Sequence, residues 1–132
     1  MKLEDRHWCF GCGDNNPIGL HLKFSKISRG VKTVFTPQQI HEGYKEITHG
    51  GIVSALLDEA LAWMCLEYSP RMLTLSLETK FFRPVRVGKP VYVEAILTRL
   101  TKKYVYGTAR AISEDGRLLA QAKGKMARLQ QN

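Results

Sequence analysis

The sequence lacks any apolar run long enough to cross a membrane. Its longest candidate, residues 52–57, contains Ser54 and is followed at once by Asp58 and Glu59, whereas a membrane-spanning helix needs about 20 predominantly apolar residues. The first eight residues carry two acids, two bases and a histidine, with no apolar stretch behind them, so no secretory signal is predicted. A transmembrane protein is therefore excluded, and the cytoplasm is the expected location.

Cysteine is scarce, with 3 residues, and proline and glycine are modest, with 5 and 11. A small secreted domain held by disulfides has many cysteines in even number, so free thiols are expected here. With 44% apolar and 24% charged residues, the chain is neither disordered nor fibrous. Its 132 residues suit one domain, residues 1–132, in which residues 1–19 form an irregular lead-in.

Acidic residues are few in the second half of the chain. Residues 1–70 hold 7 bases and 8 acids, whereas residues 71–132 hold 13 bases and 4 acids, and the net charge is +8. This asymmetry indicates an anionic partner such as nucleic acid, a membrane surface or a phosphorylated small molecule, although a solvated basic surface has the same pattern. No five like charges occur in a row, which argues against a basic tail.

Turn residues divide the chain into one helix and six strands. Residues 52–68 contain no proline and are rich in Ala, Leu, Met and Glu, which predicts a helix with Thr48 as its cap. Apolar residues alternate within residues 20–35 around a Ser-Arg-Gly turn, which predicts a hairpin. After Pro70 the apolar residues recur at every second position, and turn residues divide this part of the chain into four predicted strands. Because their links are short, these four strands are predicted to form an antiparallel meander, in the overall order β-β-helix-β-β-β-β.

Apolar side chains cover almost every direction around the predicted helix, on two adjoining sides formed by Leu56, Ala60 and Trp63 and by Val53, Leu57, Leu61 and Met64. Such a helix must be covered by a sheet that curls about it. The sequence therefore predicts an α+β architecture, one long helix wrapped by a highly curved antiparallel sheet. Ser54, Asp58 and Cys65 form a narrow polar seam along this helix.

Asp58 is the anomaly within this seam. A carboxylate in the middle of an apolar helix costs several kcal/mol unless it is hydrogen-bonded or lies at a solvent-filled cleft. Asp58 is thus a candidate base or nucleophile facing a cleft, with a structural carboxylate bound to a neighbour as the alternative. Glu59 is a second candidate, but it points about 100° away and cannot share one pocket with Asp58 through the same helix face.

His49-Gly50-Gly51 stands at the start of the predicted helix. Two glycines allow another group to approach the backbone closely, and the first helical turn presents unpaired N–H donors. Such donors can stabilise the oxyanion of an acyl-transfer reaction, although a plain tight turn would also select glycine. Asp58 follows His49 by nine residues, which is about 10 Å or more along a helix. Donors and carboxylate are therefore expected to meet across a two-fold interface.

A family signature lies within residues 49–60, HGGIVSALLDEA, which closely resemble hot-dog-fold acyl-CoA thioesterases of the phenylacetate-pathway, or PaaI-like, type. The resemblance covers most of the chain, since it extends to residues 9–13 (CFGCG), 16–20 (NPIGL), 41–43 (HEG) and 81–85 (FFRPV). It implies a hot-dog fold and hydrolysis of acyl-CoA to a free acid and CoA. It implies no metal or cofactor.

The resemblance also implies roles for individual residues. Asp58 matches the catalytic carboxylate, which acts as general base on water or as nucleophile on the thioester carbon. Gly51 or Gly50 matches the backbone N–H that polarises the thioester carbonyl, with His49 shaping that region. Thr74, ten residues before Pro84, matches a hydroxyl that assists the attacking water in some members. The family's active sites lie between two subunits, which implies a homodimer or homotetramer.

Substrate binding carries one departure from the family. Some members place Asn or Gln six residues before the motif histidine to contact the carbonyl, and this chain has Gly43 there, with His41 nearby as the candidate to take its place. The resemblance also implies an anionic partner for the basic second half of the chain, namely the phosphates of coenzyme A. The bases predicted to meet these phosphates from strand ends or turns are Arg83, Arg86, Lys102 and Lys103.

The cysteines leave other hypotheses open. Cys9 and Cys12, with His7 and His21 nearby, could form a zinc site, but the second pair of the usual spacing is missing. A redox dithiol lacks the strand-helix context of such motifs. A packed lead-in with partly buried thiols is the favoured interpretation. Cys65 is a candidate nucleophile, but a buried small residue is favoured.

Three other functions compete with thioester hydrolysis. A non-catalytic acyl-CoA binder on the same fold is the main alternative, since fold alone does not fix activity. A hot-dog dehydratase would need a different arrangement of histidine and acid. A nucleic-acid-binding basic domain has the charge but no recognition motif. Neither nucleic acid nor a membrane is predicted as a partner.

Overall fold

The computed structural model describes residues 3–129. Residues 3–24 form turns and bends without a helix or strand. The elements that follow are β1 (Ser25–Ile27), β2 (Gly30–Phe35), a short 3-10 helix (Gln39–His41), α1 (Gly50–Cys65), β3 (Arg71–Phe81), β4 (Val91–Leu100), β5 (Tyr104–Ser113) and β6 (Leu118–Leu129). The predicted order of strands and helix is confirmed. No helix in this part of the chain is long and apolar enough to span a membrane.

The six strands form one antiparallel sheet in the order β1-β2-β4-β5-β6-β3. β3 pairs with β6, with Phe81 opposite Ala120, so the predicted meander of the last four strands is wrong. The meander consists of β4, β5 and β6. The link between β3 and β4, residues 82–90, is long enough to cross three strand spacings of about 4.8 Å each. As a result β3 lies at one edge of the sheet.

Helix α1 packs against this curved sheet through a continuous apolar face, whose buried members are Val53, Leu56, Leu57, Ala60, Leu61, Met64 and Cys65. Gly107 and Gly124 face each other on β5 and β6 beneath the helix. A Cβ atom at Gly107 would lie 2.3 Å from Met64 Cε, and one at Gly124 would lie 2.7 Å from Leu61 Cδ1. The paired glycines therefore allow the helix to approach the sheet closely. Cys65 is buried, as predicted.

The helix begins and ends earlier than predicted, at Gly50 and Cys65 instead of residues 52 and 68. Its cap is His49, not Thr48, because the ring Nδ1 of His49 accepts a hydrogen bond of 2.9 Å from the Gly51 N–H. The Thr48 hydroxyl is buried and has no hydrogen-bond partner within residues 3–129. The cap prediction was wrong because a histidine ring nitrogen can accept the same bond as the usual hydroxyl cap.

The side of α1 that faces away from the sheet is only partly covered. Trp63 is 37% exposed and stacks on Phe24, the residue before β1, with ring centroids 5.8 Å apart. The predicted hairpin is present, but its first strand starts at Ser25, after the apolar residues around Leu22. The backbone of Leu22 instead donates to the carbonyl of Gly11 at 2.9 Å. The lead-in is thereby joined to the segment that precedes β1.

Candidate active site

Asp58 lies on the third turn of α1 and contacts strand β3. The hydroxyl of Thr74 donates a hydrogen bond of 2.8 Å to Asp58 Oδ1. The ladder between β3 and β6 is irregular between Thr74 and Ser76, and a bulge of this kind redirects neighbouring side chains. Asp58 is half-buried and Thr74 is exposed, so solvent reaches the pair. A carboxylate that is oriented and accessible to water can serve as a base or nucleophile.

The start of α1 presents two backbone N–H groups in different states. The Gly51 N–H is donated to His49 Nδ1, which places the proton of the neutral ring on Nε2. The Gly50 N–H, at the first helical position, has no acceptor within residues 3–129. Gly50 is exposed, and the ring of Phe81 would lie 3.7 Å from a Cβ atom built there. Gly50 therefore carries the donor that a ligand can reach.

Gly43 and His41, the two residues predicted to lie near the substrate carbonyl, are found beside His49. A Cβ atom at Gly43 would lie 3.2 Å from His49 Cα, so the backbone is close-packed here. The buried His41 accepts from the Gln38 N–H through Nδ1 at 2.9 Å, and its carbonyl accepts from the His49 N–H at 2.8 Å. Burial lowers the pKa of His41. His41 thus supports the loop that carries His49.

Arg83 and Arg86 lie together at a surface cleft of about 520 Å³ that also includes Lys89 and Arg117. The loop that carries the two arginines runs beside the helix start, since the Thr48 N–H donates to the Val85 carbonyl at 2.8 Å. Arg117 pairs with Asp115 at 3.2 Å, whereas Arg83, Arg86 and Lys89 form no ion pair within the described part of the chain. These three bases are available to an anion.

Lys102 and Lys103 lie in the turn between β4 and β5, far from this cleft. The ten residues of β4 separate the two groups by about 30 Å at 3.3 Å per residue. Within one protomer the four predicted bases are therefore not brought together. Lys89 and Arg117, which were not among the predicted bases, lie at the cleft instead. Lys89 belongs to the same loop as Arg83 and Arg86, whereas Arg117 lies between β5 and β6 and is brought to the cleft by the fold.

Cys9 and Cys12 of the lead-in form a cluster with Glu59 of α1. The two sulfur atoms and a carboxylate oxygen, which are the atoms that could bind a metal, all lie within 4.8 Å of one another. His7 is not part of it, and the His21 ring lies 2.6 Å from the Asn16 carbonyl oxygen. Burial, and then the Glu59 carboxylate, raise the pKa of the Cys12 thiol. Burial also raises the pKa of Cys65 to about 11, so that thiol is a poor nucleophile.

Comparison with known proteins identifies the family of the chain. The Thioesterase superfamily model matches residues 46–120, more than half of the chain. An uncharacterised protein of Schizosaccharomyces pombe is 33% identical over 79 residues, which are 58% of this chain and 43% of that protein. The chain thus spans less than half the length of this curated relative.

Three solved structures are similar in fold. The thioesterase superfamily protein RHA08564 has a TM-score of 0.85 at 18% identity, over 92% of this chain and 60% of its own. The Escherichia coli PaaI protein from the phenylacetic acid degradation operon has a TM-score of 0.79 at 18% identity, over 86% of this chain and 83% of its own. A point mutant of the phenylacetic acid degradation protein PaaI from Thermus thermophilus has a TM-score of 0.76 at 28% identity, over 83% of this chain and 95% of its own.

The fold and the matched residues define the class of protein. The chain belongs to the thioesterase superfamily. Within it, the single helix on a curved six-stranded sheet and the likeness to the PaaI structures make it a hot-dog-fold protein of the PaaI-like type.

Proposed function

We propose that this protein is an acyl-CoA thioesterase that hydrolyses the thioester to a free acid and CoA. Membership in the superfamily supports thioesterase activity in general. The observation that carries the proposal for this chain is the Asp58 carboxylate, oriented by the Thr74 hydroxyl at 2.8 Å and still accessible to solvent. Its three cysteines are free, as is usual in reducing compartments, and the proposal keeps the cytoplasmic location expected from the sequence.

The reaction uses one donor and one carboxylate. The thioester carbonyl oxygen accepts the free Gly50 N–H, which stabilises the negative charge that develops there. Asp58 takes a proton from water while the water oxygen adds to the carbonyl carbon, and the carbon–sulfur bond then breaks to release CoA. In the nucleophilic version Asp58 itself attacks the carbonyl carbon and the carbon–sulfur bond breaks to release CoA. Water then hydrolyses the resulting mixed anhydride to the free acid and the Asp58 carboxylate. Both versions consume one water and yield the same products.

The two groups act from different protomers of a homodimer, or of a tetramer built from such dimers. Eight residues separate Gly50 from Asp58, about 12 Å along the helix, so one chain cannot bring both to one carbonyl carbon. Strand β3 supports this assembly because it is an edge strand of 11 residues with Leu75 and Phe81 each 53% exposed. A long exposed apolar edge readily pairs with another chain.

Coenzyme A supplies the anion for the cleft at Arg83, Arg86 and Lys89. These bases stand next to the helix start through the Thr48–Val85 hydrogen bond. Arginines form strong charge-assisted hydrogen bonds with phosphates. A CoA whose thioester lies at Gly50 can therefore extend its phosphates toward this cleft. Lys102 and Lys103, which lie at the other end of β4, contribute only if a second protomer presents them there.

The direct test is thiol release from a panel of short, long and aromatic acyl-CoAs. The wild type should hydrolyse at least one of them, and Asp58→Asn should lower kcat by about 10²- to 10⁴-fold. Glu67→Gln, which removes a helix-proximal carboxylate paired with Lys26 at 3.2 Å, is the matched control and should leave kcat unchanged. Wild-type binding of acyl-CoA without thiol release would favour the non-catalytic binder, and equal rates for Asp58→Asn would refute the assigned chemistry.

The CoA part of the proposal has its own comparison. Arg86→Gln should raise KM for the acyl-CoA but not for the same acyl group on pantetheine, which lacks the nucleotide phosphates. Lys32→Gln removes an exposed base on β2 and should change neither KM. If Arg86→Gln raises both values of KM equally, the cleft does not recognise the nucleotide.

Sedimentation analysis should give a dimer or tetramer, and a monomer that remains active would contradict the shared site.

A further inference from the structure

The cluster of Cys9, Cys12 and Glu59 is not used by the proposed hydrolysis. Cys9 and Cys12 come from a turn of the lead-in, and Glu59 comes from the middle of α1, some 50 residues away in sequence. Cys9 Sγ lies 3.5 Å and 3.6 Å from the two carboxylate oxygens of Glu59. Two thiols and a carboxylate are thus gathered on one side of the helix, within 4.8 Å of one another.

The separation of Cys9 Sγ from the Glu59 carboxylate fits two adjacent ligands of a tetrahedral metal ion. Zinc binds sulfur at about 2.3 Å and carboxylate oxygen at about 2.1 Å, so adjacent sulfur and oxygen ligands lie about 3.6 Å apart around one ion. The observed distances from Cys9 Sγ to Glu59 are 3.5 Å and 3.6 Å. This pair therefore has the spacing of zinc ligands, and Cys12 Sγ lies within 4.8 Å of both.

The surroundings orient the carboxylate. The indole N–H of Trp63 donates to Glu59 Oε2 at 3.2 Å, while both carboxylate oxygens stay within 3.6 Å of Cys9 Sγ. Hydrogen bonds of this kind to ligating groups fix their orientation in metal sites. Both Cys9 and Cys12 also line a cleft of about 530 Å³ together with Trp63. This cleft gives a fourth ligand, such as water, access to the ion.

Two glycines build the turn that carries the thiols. The Gly13 N–H donates to the Cys9 carbonyl at 2.8 Å, and a Cβ atom at Gly13 would lie 2.4 Å from the Cys9 backbone nitrogen. A Cβ atom at Gly11 would lie 2.4 Å from Glu59 Cδ. Only glycine at position 11 lets the Glu59 carboxylate come up against the turn. The backbone is therefore shaped to bring this carboxylate and the two thiols together.

We propose that Cys9, Cys12 and Glu59 bind one zinc ion, with a fourth position open to the cleft. Thiolate ligands favour zinc among the common divalent ions of cells, and three protein ligands with one open position is a known zinc arrangement. The ion joins the lead-in to α1 at the residue next to Asp58. This site is independent of the proposed hydrolysis, because none of its ligands takes part in that reaction.

The test is metal binding to the reduced, chelator-stripped full chain. Titration with Co²⁺ should produce a sulfur-to-cobalt charge-transfer band and the visible bands of tetrahedral cobalt, saturating at one ion per chain, and Zn²⁺ should displace the cobalt. Cys9→Ser and Cys12→Ser should abolish the charge-transfer band or strongly reduce it. Glu59→Gln and Gly11→Ala should weaken zinc binding by about tenfold or more, the second without removing a ligand.

Matched controls separate this site from the rest of the chain. Cys65→Ala removes the third thiol, which is buried in the core, and Glu67→Gln removes a carboxylate just beyond α1. Both should bind one zinc as the wild type does, and zinc should raise their melting temperature but not that of Cys9→Ser. Circular dichroism checks that the variants are folded, and Cys9→Ser should fold because Cys9 is exposed.

Three outcomes would overturn the proposal. The first is cobalt binding without a thiolate band in the wild type. The second is equal zinc uptake by the folded Cys9→Ser and Cys12→Ser variants. The third is recovery of a Cys9–Cys12 disulfide when thiols are trapped during isolation. Because the readout is spectroscopic, each outcome is distinct from a loss of thioester hydrolysis.

Discussion

The substitution Gly50→Pro tests the proposed oxyanion donor by removing one N–H group from the start of α1. Gly50 is the first helical residue, a position where proline is favoured because its fixed φ suits the helix and its N–H would lack an intrahelical acceptor in any case. Proline also restricts the residue before it to extended conformations, with ψ of about +120 to +160°. His49 already has φ −57° and ψ 134°.

Position 50 has room for a Cβ atom. A Cβ atom there would meet the Phe81 ring at 3.7 Å, an ordinary contact. Exchange of glycine for proline at a compatible site stabilises a protein by about 0.4–1 kcal/mol through the unfolded chain. We therefore expect the melting temperature of Gly50→Pro to equal or exceed that of the wild type. Any loss of activity would then come from the missing donor and not from unfolding.

The expected loss is large. Removal of one oxyanion donor lowers kcat by about 10²- to 10³-fold, or about 2.7–4 kcal/mol of transition-state stabilisation. The assay is thiol release from the acyl-CoA that the wild type hydrolyses fastest. Gly50→Ala is the control, because it makes the same contact with Phe81 and keeps the N–H, so its kcat should stay near that of the wild type. A folded Gly50→Pro with the kcat of Gly50→Ala would refute the donor role.

Two further predictions concern the groups around this site. Thr74→Val should lower kcat about fivefold, since the hydrogen bond to the Asp58 carboxylate contributes about 1 kcal/mol in a solvent-exposed pair, and Thr74→Ser should restore most of the rate. His41 has a lowered pKa because of burial, so below its ordinary value of about 6.5 the unfolded chain binds a proton more readily than the folded chain. The free energy of unfolding should therefore be highest above about pH 7 and fall as the pH drops through about 6.5, as measured by urea titration.

Each of these predictions has a control. A loss of rate in both Thr74→Val and Thr74→Ser would show that the shape of β3, and not the hydroxyl, is required. His41→Asn keeps an acceptor for the Gln38 N–H but does not titrate, so it should flatten the pH dependence of stability near neutrality. An unchanged slope in His41→Asn would show that another group is responsible.

The elements of the fold were predictable because their signals are local. The Pro-free apolar run that contains Leu56 and Met64 predicts a helix, and the alternation after Pro70 predicts strands. Pairing was not predictable in the same way, since alternation indicates a strand but not which strand lies beside it. The nine-residue link 82–90 allowed β3 to cross to β6, and the sequence carries no local signal for that choice.

The candidate site likewise has a part that local signals predict and contacts that they do not. The motif with His49, Gly50 and Asp58 is contiguous, so its positions on one helix follow from helical spacing. Thr74 became a candidate through family resemblance alone, and its hydrogen bond to Asp58 is seen only in the structure, beside an irregular stretch of the β3–β6 ladder. The contact of Glu59 with Cys9 joins residues 50 positions apart. No periodic pattern in the sequence predicts such a contact. Because Glu59 is next to Asp58, its carboxylate was considered as a catalytic group instead.

The separation of donor and carboxylate along one helix has a consequence for mixed dimers. In a two-fold dimer each site takes the Gly50 N–H from one protomer and Asp58 from the other. A dimer of one Asp58→Asn chain and one Gly50→Pro chain then contains one site with both lesions and one site with neither. Equal amounts of the two inactive variants, unfolded and refolded together, should therefore recover about one quarter of the wild-type activity, because about half of the dimers are mixed. If both groups of a site came from the same chain, the mixture would stay inactive.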